Sequence, residues 1–400
     1  MEPLTNRLRV KTAREYSSIG APQLDRSNLE IRAALATGDQ QPVSLHDVQQ
    51  QNVNVQAVHA ILPRSWEAFD SGVSTFDPDA PPPPGGITVK NMLLSFDPYQ
   101  RGQMRRPGDA GTYSLPWVEG QPAVVTTLST VLKSDNPGFS PGDLVSAMAD
   151  AGEYAAVPAE LAAQTRVYPP LPPGITIAPS ALIGALGVAG LSAYVSFNEF
   201  VKEPREGKTI FISAASGGVG QVVGQMAKMQ GMKVIGSTGS QDKVDFVVNE
   251  LGFDAAWNYK TEATGAALDR LAPEGLDVYY DNVGGEQLET ALTRMKDYGT
   301  IVSSGMVSVY NYPDEEKYGI RTGMNIFLKR LTIHGFVCSD PQHLQKYLPT
   351  FGPDMVTWLA SGKIKTKEEV MVGIDNAPEA MIRMWNGDKF GKMVLKIDTD

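Results

Sequence analysis

The chain has 400 residues, 42% apolar and 20% charged, which allows two or three soluble domains with sizeable cores. Its 35 Lys and Arg against 45 Asp and Glu give a net charge of −10, a sign that repels phosphate backbones and argues against a nucleic-acid partner. The single cysteine, Cys338, allows no internal disulfide and no thiolate-rich zinc site, and four dispersed histidines (His46, His59, His334, His343) supply no metal motif.

In chain order, residues 1–51 are polar with no sustained period and read as an N-terminal extension. Arg7, Arg9, Lys11 and Arg14 make its start basic, but Glu2 and Glu15 interrupt the pattern of a transit peptide, so a solvated tail and a cytoplasmic protein are expected. From residue 53 the chain reads as short strands between Gly/Pro turns. They fall at 53–62, 87–96, 118–132, 144–148 and 152–157, with a stiff proline run at 80–86. This is the pattern of an all-β, barrel-like unit. Near residue 175 the rhythm changes. A helix is expected over 183–200, then strand 209–213, helix 219–230, strand 233–236, helix 243–251, strand 255–257, helix 264–271, strand 278–280, helix 287–295 and strands 299–303 and 332–336. Strands alternating with helices at this spacing predict βαβ units and a doubly wound parallel sheet. A helical stretch at 343–360, punctuated by Pro349 and Pro353, strand 370–374, a short helix and strand 393–397 finish the chain. The longest apolar run, 183–193, is short of the roughly 20 residues a membrane span needs.

The segment Ser213-Ala-Ala-Ser-Gly-Gly-Val-Gly220 follows a buried strand and opens a helix. Aligned with G-x-G-x-x-G it offers Ala215, Gly217 and Gly220, so alanine replaces the first glycine. Gly217 and Gly218 allow close backbone approach to a pyrophosphate, which the helix N-terminus attracts. An NAD site would place Asp or Glu about 20 residues on. The second strand instead ends in Gly236-Ser-Thr-Gly-Ser240, with Lys243 just beyond. An ammonium and hydroxyls suit a 2′-phosphate, so NADPH is expected over NADH.

Several stretches in order resemble the medium-chain dehydrogenase/reductase superfamily, and within it the zinc-free prostaglandin reductase and alkenal double-bond reductase branch. They are VKNMLLSFDPYQRGQM (89–104), GALGVAGLSAY (184–194), 214–244, NYKTE (258–262), YDNVGGE (280–286), GMVSVYN (305–311) and GDKFGKMVLKI (387–397). The resemblance implies an α/β fold in which a Rossmann NADP-binding domain, 181–344, is inserted into a GroES-like β-rich domain, 52–180 completed by 345–400. It implies a homodimer and no metal: where zinc-dependent relatives carry ligands, this chain reads Gly120-Gln-Pro122. Carried over by position, Ser216, Gly217, Gly218 and Val219 would hold the pyrophosphate. Lys243 and Tyr259 would take the 2′-phosphate and Asn282 the adjoining ribose. Ser304, Gly305, Met306, Phe336, Val337 and Cys338 would flank the nicotinamide, with Tyr310 at the reacting end and Tyr99 lining the substrate pocket. Lys389 stands where the family commonly has Asn against the coenzyme.

The reaction so implied is NADPH-dependent reduction of the carbon–carbon double bond of an α,β-unsaturated ketone or aldehyde. Hydride goes to the β-carbon, and the enolate is held by the Tyr310 hydroxyl and the ribose 2′-OH. A specialised biosynthetic role fits this chemistry. A quinone oxidoreductase of the same superfamily and a non-catalytic NADP-binding scaffold are the alternatives. Plainer readings accompany several residues: Cys338 as a small buried group, His334 as structural, and Arg101, Arg105 and Arg106 as a solvated basic loop.

Overall fold

The computed structural model describes residues 4–10, 69–77, 79–104, 113–114, 116–118 and 121–397; of 4–10 and 69–75 only the backbone is described. The strand expected at 53–62, His46, His59, Arg105, Arg106 and Gly120 lie outside the described residues.

Strand β1 (Leu4–Val10) pairs antiparallel with β2 (Phe69–Thr75). A segment read as an aperiodic tail therefore begins in a strand. Its residues, LTNRLRV, do not alternate strictly between apolar and polar, so no sustained strand period marks it in the sequence. The β-rich unit then runs through β3 (Ile87–Ser95), a single turn α1 (Gln100–Gln103), β4 (Val124–Ser134), β5 (Leu144–Asp150), β6 (Tyr154–Val157) and β7 (Arg166–Tyr168). The strand expected from 118 starts at Val124, because Pro122 cannot donate to a ladder.

The expected helix 183–200 is divided. Helix α2 (Pro179–Ile183) ends at Gly184, and α3 (Val188–Phe200) starts after Gly187. A Cβ at Gly190 would lie 1.6 Å from the Ala185 carbonyl oxygen, so the chain turns back on itself too tightly for one continuous helix.

The second sheet follows: β8 (Thr209–Ile212), α4 (Gly218–Met229), β9 (Lys233–Thr238), α5 (Gln241–Asp245), β10 (Ala255–Asn258), α6 (Thr264–Leu271), β11 (Leu276–Asp281), α7 (Gly285–Arg294), β12 (Met295–Ser303), α8 (Met324–Leu328) and β13 (Thr332–Gly335). The stretch expected as one helix over 243–251 is α-helical to Asp245 and widens to a π-turn at Phe246–Glu250. The six strands are parallel in the order β10-β9-β8-β11-β12-β13, the doubly wound order. β8 (TIFI) is buried throughout, which is why it reads as a continuous apolar run.

After α9 (Pro341–Ala360) come β14 (Glu368–Val372), α10 (Ala377–Trp385) and β15 (Lys392–Lys396). These last strands join the first sheet, whose order is β14-β15-β3-β4-β5-β7 with β6 on β3. Apolar packing continues across the junction: Leu93, Leu128 and Val394 share one cluster with Val195, Ile212 and Phe351. The two units thus meet along a buried face, and a cleft opens beside it.

Candidate active site

The parallel sheet reverses its strand order between β8 and β11, the position where doubly wound folds bind their ligands. The two strand ends are stitched together there. The Asn282 amide N–H donates to Ser213 Oγ at 2.9 Å, and Asn282 Nδ2 donates to the Ser213 carbonyl at 2.7 Å. Ala214 sits at φ +49°, a left-handed conformation that β-carbons disfavour, and its carbonyl accepts the Gly217 N–H at 2.9 Å. Helix α4 then opens with Gly218, Val219 and Gly220 lining the cleft. A Cβ on Gly220 would lie 2.6 Å from the Ala214 carbonyl oxygen, so this turn can pass the helix only as glycine. Ala215, where the fingerprint expects glycine, is accommodated from the other side: a Cβ on Gly236 would lie 2.6 Å from its methyl. The glycine missing from the first strand is supplied by the second.

Below this turn Asp281 is fully buried. Its Oδ1 accepts Tyr279 Oη–H at 2.7 Å, Val283 N–H at 2.9 Å and Gly284 N–H at 2.8 Å, which fixes the loop carrying Asn282. Burial pushes the Asp281 carboxyl above the usual carboxylate range, against the pull of these donors. The next loop is sewn onto it. Ser304 and Gly305 donate their N–H groups to the Asp281 carbonyl, and Ser308 Oγ donates to the Val283 carbonyl at 2.6 Å.

The opposite wall rests on the turn after β3. Ser95 Oγ donates to Asp97 Oδ2 at 2.7 Å, Gln100 Oε1 accepts the Asp97 N–H at 3.0 Å, and Gln100 Nε2 donates to the Ser95 carbonyl at 3.2 Å. Asp97 also forms an ion pair of 3.3 Å with Lys392, both side chains being 7% exposed or less. Lys392 Nζ further donates to the Phe96 carbonyl at 2.6 Å and the Met393 carbonyl at 2.9 Å. Burial pushes its ammonium below the ordinary lysine value, with Asp97 pulling it back. This frame holds Tyr99, whose phenol is pushed up by burial and then by Asp97. The Tyr99 ring lies 6.3 Å from that of Tyr113. Arg101 Nε donates to Asn311 Oδ1 at 3.1 Å, so the arginine expected on a solvated loop joins the turn after β3 to the segment at 310–311, which completes this wall. Tyr310 Oη accepts the Met306 N–H at 3.3 Å, which sets the phenol at the edge of the cleft.

All of these surfaces face one cleft of about 1360 Å³. Ser216, Gly217, Gly218, Val219, Lys243, Tyr259, Asn282, Ser304, Gly305, Tyr310, Phe336, Val337, Cys338 and Tyr99 all line it. Met306 does not: its side chain is 38% exposed, and only its N–H serves the site, through Tyr310. Lys243 Nζ donates to the Gly387 carbonyl at 3.0 Å, reaching across to the C-terminal loop, and burial lowers its pKa. Lys389, on that same loop, also lines the cleft. His343 Nδ1 lies 2.9 Å from the Val337 carbonyl and fixes the 336–338 segment. Cys338 is buried and its thiol is pushed up, as a small apolar group would be. The Asp97–Lys392 pair, Gln100, Tyr113 and Asp281 were not singled out from sequence. The available signal was a lysine heading the strand 392–396, directly before the apolar run Met393–Leu395.

A family described as zinc-binding dehydrogenase matches residues 218–352, and one described as the N-terminal domain of oxidoreductase matches 74–164. The NADP-dependent oxidoreductase RED1 of Cochliobolus heterostrophus is 44% identical over 316 residues, covering 79% of this chain and 88% of its own. The 2-alkenal reductase (NADP(+)-dependent) of Nicotiana tabacum is 39% identical over 318 residues, covering 78% and 88%. Among solved structures, CurA of Vibrio vulnificus in complex with NADPH superposes with a TM-score of 0.73 at 30% identity, covering 84% of this chain and 95% of that one. Among the described residues no three His, Cys, Asp or Glu side chains come together, and the one thiol is buried.

Proposed function

The chain belongs to the medium-chain dehydrogenase/reductase superfamily, in its zinc-independent reductase branch, and from that premise we propose an NADPH-dependent reductase of carbon–carbon double bonds conjugated to a ketone or aldehyde. The cradle fits a dinucleotide: Gly217, Gly218, Val219 and Gly220, at the N-terminal end of α4, line the cleft, three of the four carry no side chain, and a helix start attracts a pyrophosphate. On this reading Ser216–Val219 receive the pyrophosphate, Lys243 and Tyr259 the 2′-phosphate, and Asn282 the ribose between them. Ser304, Gly305, the Met306 backbone and Phe336–Cys338 flank the nicotinamide. Bound NADPH supplies the hydride. The chain's own task is to place the β-carbon of the substrate and to hold the charge that develops on its carbonyl oxygen.

The observation that carries this reading is Tyr310. Its hydroxyl stands in the cleft, set by the Met306 N–H, with Gly305 leaving it room: a Cβ there would lie 3.3 Å from Oη. A phenol donor beside the ribose 2′-hydroxyl is suited to an enolate oxygen, a charge that zinc-dependent relatives would give to metal. Tyr99 lines the substrate side of the same cleft and, kept protonated by burial, remains a donor at neutral pH.

The decisive experiment supplies a 2-alkenal and NADPH deuterated at the transferable position, and reads the product by mass spectrometry and NMR. The saturated aldehyde with deuterium at the β-carbon is expected. An allylic alcohol, or consumption of NADPH with naphthoquinones alone, would overturn the assignment.

The same reading takes 52–180 with 345–400 as the substrate domain and 181–344 as the coenzyme domain, supported by β14 and β15 returning to the first sheet. It also takes the protein as a cytoplasmic homodimer. β13 is an edge strand with Ile333 42% exposed, and α8 beside it exposes Met324 and Phe327 at 72% and 79%. Among the described residues no helix is long and apolar enough to cross a membrane. A monomer mass by light scattering would remove the dimer.

A further inference from the structure

The cleft is larger than the roughly 300–1000 Å³ typical of a site for one small ligand. Part of its lining belongs to neither the coenzyme cradle nor the Tyr99–Tyr310 face. Leu186, Leu191, Leu344, Leu348 and Phe351 line this part, and Arg166 stands there with the neutral side chains of Gln164 and Thr165 beside it in the chain.

Arg166 is held unusually for a surface arginine. Its guanidinium carbon lies 5.0 Å from the centroid of the Tyr168 ring and 5.9 Å from that of Phe351. Phe351 is buried, and Tyr168 is itself fixed by donating its phenol hydrogen to the Leu182 carbonyl at 2.6 Å. One Arg166 N–H, on Nη1, reaches the Leu186 carbonyl at 3.3 Å. On the other side Gly352 leaves space: a Cβ there would lie 2.7 Å from Nη2. Among the described residues no carboxylate lies within ion-pair distance of Arg166. The other cations lining the cleft are differently placed, Lys392 on Asp97, Lys243 on the Gly387 carbonyl and Lys389 on the Gly391 carbonyl. A guanidinium has five N–H donors in a planar fork that matches a carboxylate. Fixed on aromatic faces, it loses little further freedom when it engages one. A guanidinium among apolar and neutral side chains, with no carboxylate of the described residues at ion-pair distance, fits an anion delivered by the ligand.

Resting on the reductase reading above, we propose that Arg166 is a carboxylate-binding residue of this part of the cleft, and that the enzyme's substrates are α,β-unsaturated carbonyl compounds bearing a carboxylate beyond an apolar spacer. Arg166 takes no part in hydride delivery; it selects and anchors the far end of the molecule. The neighbours named above lie outside the glycine-rich turn and the loops assigned to the coenzyme.

The test compares kcat/KM, at saturating NADPH, for 2-alkenals of graded length ending in a carboxylate with their methyl esters. Wild type, Arg166→Gln and Arg166→Lys are measured side by side. Wild type is expected to prefer the acid by about tenfold or more at the matching length, chiefly through KM. Arg166→Gln is expected to bring the ratio to about one, and Arg166→Lys to keep part of it, because a point charge survives without the fork. An unchanged ratio in Arg166→Gln, or a wild-type preference for the ester, overturns the proposal. A parallel rise in the KM for NADPH also overturns it, since the anion would then be a coenzyme phosphate. If no alkenal of either kind is reduced, the reductase reading fails separately. Arg166 is then judged by calorimetric titration of octanoate into the NADP+-loaded protein. Tighter binding than for octanol, lost in Arg166→Gln, sustains the carboxylate site, and equal binding by both proteins removes it.

Discussion

The wall that the parallel sheet gives to the cleft presents main-chain groups, whereas the facing wall presents side chains from segments far apart in sequence. On the first, a run of eight residues from Ser213 to Gly220 sets the geometry, and its tolerances are backbone tolerances such as the 2.6 Å between the Ala214 carbonyl and a would-be Cβ on Gly220. On the second, Tyr99, Arg101, Tyr310 and Asn311 are brought together across about two hundred residues by hydrogen bonds such as Arg101 to Asn311. The difference teaches where each kind of error should appear. A lesion in the side-chain wall should damage turnover, and a lesion at the rim of the main-chain wall should damage coenzyme binding.

The largest expected effect tests the side-chain wall. Tyr310→Phe removes the O–H that the enolate oxygen would receive while keeping the ring. A drop in kcat of about 10²–10³ is expected, by the scale of lost oxyanion donors. NADPH affinity, read by fluorescence titration, should stay within about twofold, because the cradle is untouched. Full kcat in this variant would take Tyr310 out of the reaction and leave the walls undistinguished.

A smaller effect is expected at the rim of the cradle. Lys243→Ala removes the ammonium on α5, just beyond the second strand, together with its bond to the Gly387 carbonyl. The KM for NADPH should rise about tenfold, as for loss of one charge-assisted contact, with kcat little changed. The KM for NADH should hardly move, since NADH has no 2′-phosphate. Equal changes for both coenzymes would mean that Lys243 acts by holding the 387–391 loop, and the two walls would then be coupled through it.

The same contrast explains how much was legible in the sequence. The parallel sheet was readable because each element carries its own signal: a buried β-branched strand such as TIFI, then glycines, then a helical period. The glycine-rich turn was readable because backbone geometry restricts residue choice over a few consecutive positions. Even its irregular alanine is explained only by Gly236, which folding brings against it from the next strand. The side-chain wall was readable only by resemblance. Nothing in the local sequence around Arg101 says that it meets Asn311. Nor does any local period say that Lys392 pairs with Asp97, almost three hundred residues earlier. The divided helix at Gly184–Gly187 was missed for a different reason: its two glycines are local helix-stop signals, set in a small-residue apolar run that reads as one continuous segment.

Lys389 lies where the two walls meet, and it gives the smallest predicted effect. Its Nζ donates to the Gly391 carbonyl at 2.6 Å, and burial pushes its pKa down to about 8. Lys392 and Lys243 push in the same direction, and Asp97 and Glu369 oppose them. A lysine is cationic below its pKa, so the charge offered to the cleft is present at pH 7 and is lost as pH rises through about 8. The 2′-phosphate of NADPH is already doubly ionised above about pH 7, its second pKa being near 6, so its own titration cannot mimic this loss. If Lys389 faces the coenzyme phosphates, the KM for NADPH should be flat between pH 6.5 and 7.5 and rise about three- to tenfold by pH 9.5. Binding of the anion itself favours the protonated amine, which moves the onset of the rise upward from 8. In Lys389→Met the KM should be higher at pH 7 and nearly independent of pH. The same rise in the variant would assign the titration to another group and leave Lys389 as packing between the loop and β15.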